Sequence, residues 1–209
     1  MLTEVTEHDR NKQPYSNIGL IRVTFPDGSH FKGTCSIVGK NDILTATHMV
    51  YSPDHGGWAS EYSFYFGADY NNQTHQFEDY GFEYTPSKWA VIAWPEQAFA
   101  DSDNGSMSFT ETQYDTALIG VNDAIGDTLG WLGMSPMVMG SGSSGGPLLM
   151  DDYVVGVKST TIAWADIGHV FDDLVVGMNN NDSLLSQINP PAPTYHSRRG
   201  DYRLFFTRN

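Results

Sequence analysis

A serine set among glycines can do chemistry that an ordinary loop cannot, and Gly142-Ser143-Ser144-Gly145-Gly146-Pro147 is such a stretch. Glycine allows positive-φ backbone and close approach of another molecule. The run therefore describes a tight bend that presents one hydroxyl and several bare amides, which is how an oxyanion hole is made from backbone. A plain Gly/Ser linker would be flanked by polar residues, but here Leu148-Leu149-Met150 and Tyr153-Val154-Val155-Gly156-Val157 follow. A serine hydroxyl is a poor nucleophile until a base takes its proton and an acid orients that base. Of seven histidines, His48 stands out, because the apolar, β-rich Ile43-Leu44-Thr45-Ala46-Thr47 leads into it and Met49-Val50-Tyr51 leaves it. The alternative for such a histidine is a satisfied core residue. Asp115 opens an apolar stretch running to Val121, where a carboxylate is costly unless paired.

Such residues must be held by a rigid frame, and the chain supplies short β segments divided by turn residues. Ile18 to Phe25, Phe31 to Val38 and Ile43 to Thr47 are separated by Pro26-Asp27-Gly28-Ser29 and Gly39-Lys40-Asn41-Asp42. This rhythm predicts an all-β barrel or sandwich. Glu61 to Tyr70, Lys88 to Trp94 and Tyr153 to Thr161 continue it, as do His169-Val170-Phe171 and Leu174 to Met178. A short helix is expected over Asp182 to Ile188, capped by Asp182 or Ser183. Residues 189 to 209 open with Asn189-Pro190-Pro191-Ala192-Pro193, carry Arg198, Arg199, Arg203 and Arg208, and read as a linker and tail docked through Tyr202, Leu204, Phe205 and Phe206.

Thr45-Ala46-Thr47-His48, Asp115-Thr116-Ala117-Leu118 and Gly142 to Pro147 together resemble the three catalytic motifs of trypsin-like, chymotrypsin-fold serine proteases, in that family's order. Pro14 to Gly19, Gly33 to Gly39 and Ile125 to Gly133 are similar to the bacterial glutamyl-endopeptidase-like branch. The resemblance implies two six-stranded antiparallel β-barrels, residues 14–122 with His48 and Asp115 and residues 123–190 with Ser144, followed by a tail over 191–209. It implies His48, Asp115 and Ser144 as a catalytic triad and the amides of Gly142 and Ser144 as the oxyanion hole. The substrate pocket would be lined by Val138 and Met139 on one wall and by Lys158, Ser159, Thr160 and Thr161 on the other. Ser159 matches the serine that helps hold the aspartate in relatives. Lys158 stands near a histidine of acid-preferring relatives, so acidic substrates are open, as are small apolar ones and a lysine pointing to solvent. Ser143 replaces the aspartate that in animal-type members pairs with a newly freed N-terminus, so that activation switch is absent.

One departure concerns spacing. The interval from Asp115 to Ser144 is less than half of that from His48 to Asp115. The second barrel is therefore expected to be shortened or to lack a stretch of chain, and the second is preferred because missing strands would bare an edge. A degenerate, non-catalytic binding module is one rival reading. A serine esterase is another, since Gly142-x-Ser144-x-Gly146 fits a nucleophile elbow and His169 and His196 lie downstream.

With 11 basic against 25 acidic residues in 209, the net charge of −14 argues against nucleic acid and anionic membranes as partners. A monomer acting on protein or peptide substrates is expected, with no cofactor and no metal. His55 beside Asp54, and the turn Asp101 to Ser106, read as solvated loops rather than metal ligands. The single Cys35 cannot close an internal disulfide and reads as a small buried hydrophobe. Met1 to Arg10 lacks the pattern of a signal peptide. Because the family resembled is usually exported, a secreted or periplasmic location is expected.

Overall fold

The computed structural model describes residues 7–10, 12–71, 76–78, 81–100, 107–135, 145–150, 153–159, 164–185 and 205–207. Its main body is an eight-stranded, wholly antiparallel sheet. In chain order the strands are β1 (Ile18–Thr24), β2 (His30–Ile37), β3 (Asp42–Thr45), β4 (Glu61–Phe66), β5 (Phe82–Tyr84), β6 (Trp89–Ala93) and β7 (Ala117–Val121). Across the sheet they run β6-β7-β3-β2-β1-β4-β5, and a strand from the C-terminal segment pairs outside β6.

Alternation decides which side of each strand is buried. In β1, Ile21 and Val23 enter the core while Arg22 is exposed. They meet Cys35 and Ile37 of β2 and the aromatic ladder Tyr62, Phe64 and Phe66 of β4, whose rings stack in succession. Cys35 has no exposed surface and burial pushes its thiol far above the ordinary range, as expected of a core residue. By contrast β3, β6 and β7 are buried throughout. A helix covers their outer face.

That helix corrects two sequence expectations. It spans Phe171–Leu185, not Asp182 to Ile188, and it includes Leu174 to Met178, which had read as a strand. Its buried residues are Leu174, Gly177, Asn181 and Leu184, at helical spacing, while Val175 and Val176 are exposed. Half of the buried face is a glycine and an asparagine, so the apolar period is hidden, and the paired valines mimic strand text. We call it α2; α1 is the single turn Thr47–Val50.

The second sheet has four strands: β8 (Gly133–Met134), β9 (Pro147–Met150), β10 (Tyr153–Lys158) and β11 (Trp164–Asp166). β9 runs along one edge of β10, while β8 and β11 share the other. Both edges of the central strand are thus covered despite the short spacing before Ser144. The whole is a mostly β architecture with a curled antiparallel half-barrel and a C-terminal helix. The tail contributes β12 (Phe205–Thr207), antiparallel to Trp89–Val91 of β6. Among the described residues no helix is long and apolar enough to cross a membrane.

Candidate active site

His48 and Asp115 meet because their strands are neighbours. β3 and β7 pair antiparallel, with Thr45 opposite Ala117, so the chain leaving β3 and the chain entering β7 share one end of the sheet. After Thr45 the backbone stays extended at Ala46 and then closes into α1, which places His48 in a first turn. Its side chain remains 28% exposed. Asp115 follows a 3-10 turn over Glu111–Tyr114. A reciprocal cap opens that turn: the Ser108 amide donates to Glu111 Oε2 at 2.6 Å and the Glu111 amide to Ser108 Oγ at 3.3 Å.

Asp115 has no exposed surface. Its Oδ1 accepts the His48 amide at 2.9 Å, and its Oδ2 lies 2.7 Å from His48 Nδ1. An ionised carboxylate can only accept, so Nδ1 carries the proton and Nε2 is left with a free lone pair. Burial pulls the imidazole pKa down, but the Asp115 charge and hydrogen bond outweigh it, and the result lies above the ordinary 6.5. A group so arranged can take a proton from a hydroxyl and hold it.

Ser144 and Gly142 lie outside the described residues, as do Val138, Met139, Thr160 and Thr161. The loop is described from Gly145, the residue after Ser144. Gly145 has φ +70°, and a Cβ there would run into the Thr34 carbonyl oxygen and stand 2.8 Å from Thr45 Oγ1. Only glycine satisfies both constraints. Its amide donates to the Lys158 carbonyl at 2.6 Å, and the Lys158 amide donates to the Gly146 carbonyl at 3.0 Å. Gly145 and Gly146 are thereby tied to β10 by hydrogen bonds, while Gly145 packs closely against Thr34 and against Thr45, three residues before His48.

Lys158 is 7% exposed, with Nζ 5.6 Å from the centre of the Trp164 ring, so it does not point to solvent. Ser159 is buried and its Oγ donates to Met107 Sδ at 3.8 Å. His169 packs edge-on against Tyr114, the neighbour of Asp115, at 5.4 Å. His55 pairs with Asp27 at 2.7 Å rather than with Asp54. Residues 101–106 and His196 lie outside the described residues. Two contributors escaped sequence reasoning. The Ser108-x-x-Glu111 spacing is a legible capping signature that no apolar helix follows; Thr47 carried no signal beyond its place before His48.

No family model matches the chain. A Glu endopeptidase solved in complex with MPD superposes with a TM-score of 0.58 over 85% of this chain and 96% of that one, at 17% identity. The fold is that of the chymotrypsin-like proteases. A thermostable serine protease from an extremophilic microorganism also aligns with this chain, with a TM-score of 0.51 over 76% of it and 94% of the other, at 12% identity. By sequence, an extracellular metalloprotease of Bacillus subtilis (strain 168) is 29% identical over 141 residues, 64% of this chain. The chain spans 39% of that relative's length. Among the described residues no three His, Cys, Asp or Glu side chains gather as metal ligands would.

Proposed function

We propose that this chain is a serine endopeptidase that cleaves peptide bonds through a covalent acyl-enzyme. The observation that carries the reading is the 2.7 Å contact between His48 Nδ1 and a fully buried Asp115, at the sheet end where Gly145, the residue after Ser144 in the chain, packs close to Thr45. Ser144 Oγ attacks the substrate carbonyl carbon and passes its proton to His48 Nε2. The carbonyl oxygen, now an oxyanion, is received by the amides of Gly142 and Ser144. His48 gives the proton to the leaving amine as the carbon–nitrogen bond breaks, and water repeats the sequence on the acyl ester. Asp115 keeps the imidazole in the Nδ1–H tautomer and stabilises its charged form.

In this reading residues 14–122 and 123–190 are the two lobes of a secreted enzyme, with 191–209 a tail. The buried ammonium of Lys158, on the strand that anchors Gly145 and Gly146, favours an acidic side chain on the acyl side of the scissile bond. The Glu endopeptidase likeness points the same way.

The test is intact mass before and after a fluorophosphonate probe, with peptide turnover measured alongside. A single adduct at Ser144 is expected, together with a roughly millionfold loss of turnover in Ser144→Ala and in His48→Ala. Near-normal turnover in either variant overturns the assignment, and a chain that takes no adduct is a binding module instead. A substrate library cleaved without preference for Asp or Glu removes the role of Lys158 alone.

A further inference from the structure

Thr47 precedes His48 in the chain and has no exposed surface. Its Oγ1 donates to two carbonyl oxygens, those of Tyr114 at 3.1 Å and Thr116 at 2.9 Å. These are the carbonyls on either side of Asp115. One hydroxyl has one proton, so the two contacts form a shared, three-centre bond.

The register explains why such a bond is needed. Gly120 pairs with Asp42, Ile119 with Ile43, Leu118 with Leu44 and Ala117 with Thr45. Continued by two residues, the ladder would set Thr47 opposite Asp115. By then, however, the chain has turned into α1 and its backbone is no longer extended. Residues 114–116 therefore lie beyond the last rung of the sheet. The Thr47 side chain supplies the cross-strand tie that the backbone has ceased to make, at the place where the carboxylate must be aimed.

We propose that Thr47 is a positioning residue for the His48–Asp115 pair: by holding the carbonyls of Tyr114 and Thr116 it fixes the backbone that presents the Asp115 carboxylate to His48 Nδ1. The proposal rests on the reading of His48 as base and Asp115 as its orienting acid. Thr47 touches neither substrate nor the reacting atoms. Its effect is carried by the aim of Asp115, which is the charged group facing His48 among the described residues.

The experiment is a 15N-histidine NMR titration of His48 in the full chain, run beside peptide kinetics, for the wild type, Thr47→Val, Thr47→Ala and Thr47→Ser. Valine keeps the shape and removes the hydroxyl; serine keeps the hydroxyl. In Thr47→Val and Thr47→Ala we expect kcat to fall by about tenfold to a hundredfold with KM little changed. The His48 titration midpoint should move down toward that of a free imidazole, and Thr47→Ser should restore both. A purely structural role would lower stability without moving the midpoint. If either hydroxyl-free variant titrates and turns over like the wild type, the proposal is overturned. If neither folds, Thr47→Cys, close in size and only a weak donor, takes their place with the same expected shifts. Should the wild type cleave no peptide while the hydroxyl-free variants still lower the midpoint, the protease reading falls and the positioning role stands.

Discussion

Asp115 takes a charge into a place with no exposed surface, and what offsets that cost is a pair of N–H donors from one residue, the amide and the ring of His48. The arrangement favours protonated imidazole, since its attraction to Asp115 more than offsets the penalty of burial. A general base must be neutral to act, so turnover should rise with pH through a midpoint above 6.5. Asp115→Asn offers an amide that can donate to the ring and so favours the wrong tautomer. We expect it to lower kcat by about ten-thousandfold and to move the acid limb of the pH–rate profile downward. An unchanged limb would mean that another group sets it. The same linkage acts on stability: the pair contributes fully below pH 6.5 and loses that contribution as pH rises through the raised midpoint.

At the scale of elements, α2 is seated on β6 and β7 by close approach and by buried polar contacts rather than by apolar area alone. The Asn181 side chain fills the space that a Cβ on Gly120 would need. Its amide donates to Asp42 Oδ1 at 2.7 Å, while Asn41 Nδ2 donates to the carbonyls of Val121 and Asn181, each at 2.8 Å. Burial raises the Asp42 carboxyl to about 7, against the Asn181 hydrogen bond and with help from the Asp182 charge. Between pH 3.8 and about 7 the folded chain therefore holds a proton that the unfolded chain has lost. Stability falls as pH rises across that window. Asp42→Asn keeps the acceptor for Asn181 and carries no charge. Thermal melts should show it gaining up to about 4 kcal/mol over the wild type at pH 7.5, with most of the difference gone at pH 4. A variant less stable at both pH values would mean that the ionised carboxylate is what α2 requires.

At the scale of the whole molecule, a C-terminal strand covers one edge of the main sheet. β12 covers the outer edge of β6, and an uncovered edge is a template for association. The charge balance favours this docking, because four of the 11 basic residues fall in the tail of a chain whose net charge is −14. Truncation after Leu185 should lower the melting temperature and produce concentration-dependent association in size-exclusion chromatography. A truncated chain that melts like the full one and stays monomeric would show that β12 contributes nothing to the sheet.

The sequence by itself determined what is local. The strand and turn rhythm of the first sheet is set by alternation and by turn residues, both read within a few positions, and the segments around His48, Asp115 and Ser144 stand out as candidates by residue type and by their resemblance to protease motifs. The glycine run around Ser144 is rich in the one residue that takes positive φ freely, and Gly145 has φ +70°. Tertiary structure decided the rest, because contact between distant segments leaves little local trace. That His48 and Asp115 meet follows from the pairing of β3 with β7, and Thr47 matters only because the ladder stops short of Asp115. α2 was illegible because Gly177 and Asn181 are buried for their fit against β6 and β7 rather than for their hydrophobicity. The tail became a strand because β6 presented an open edge, a property of the assembled sheet and of no residue within residues 205–207.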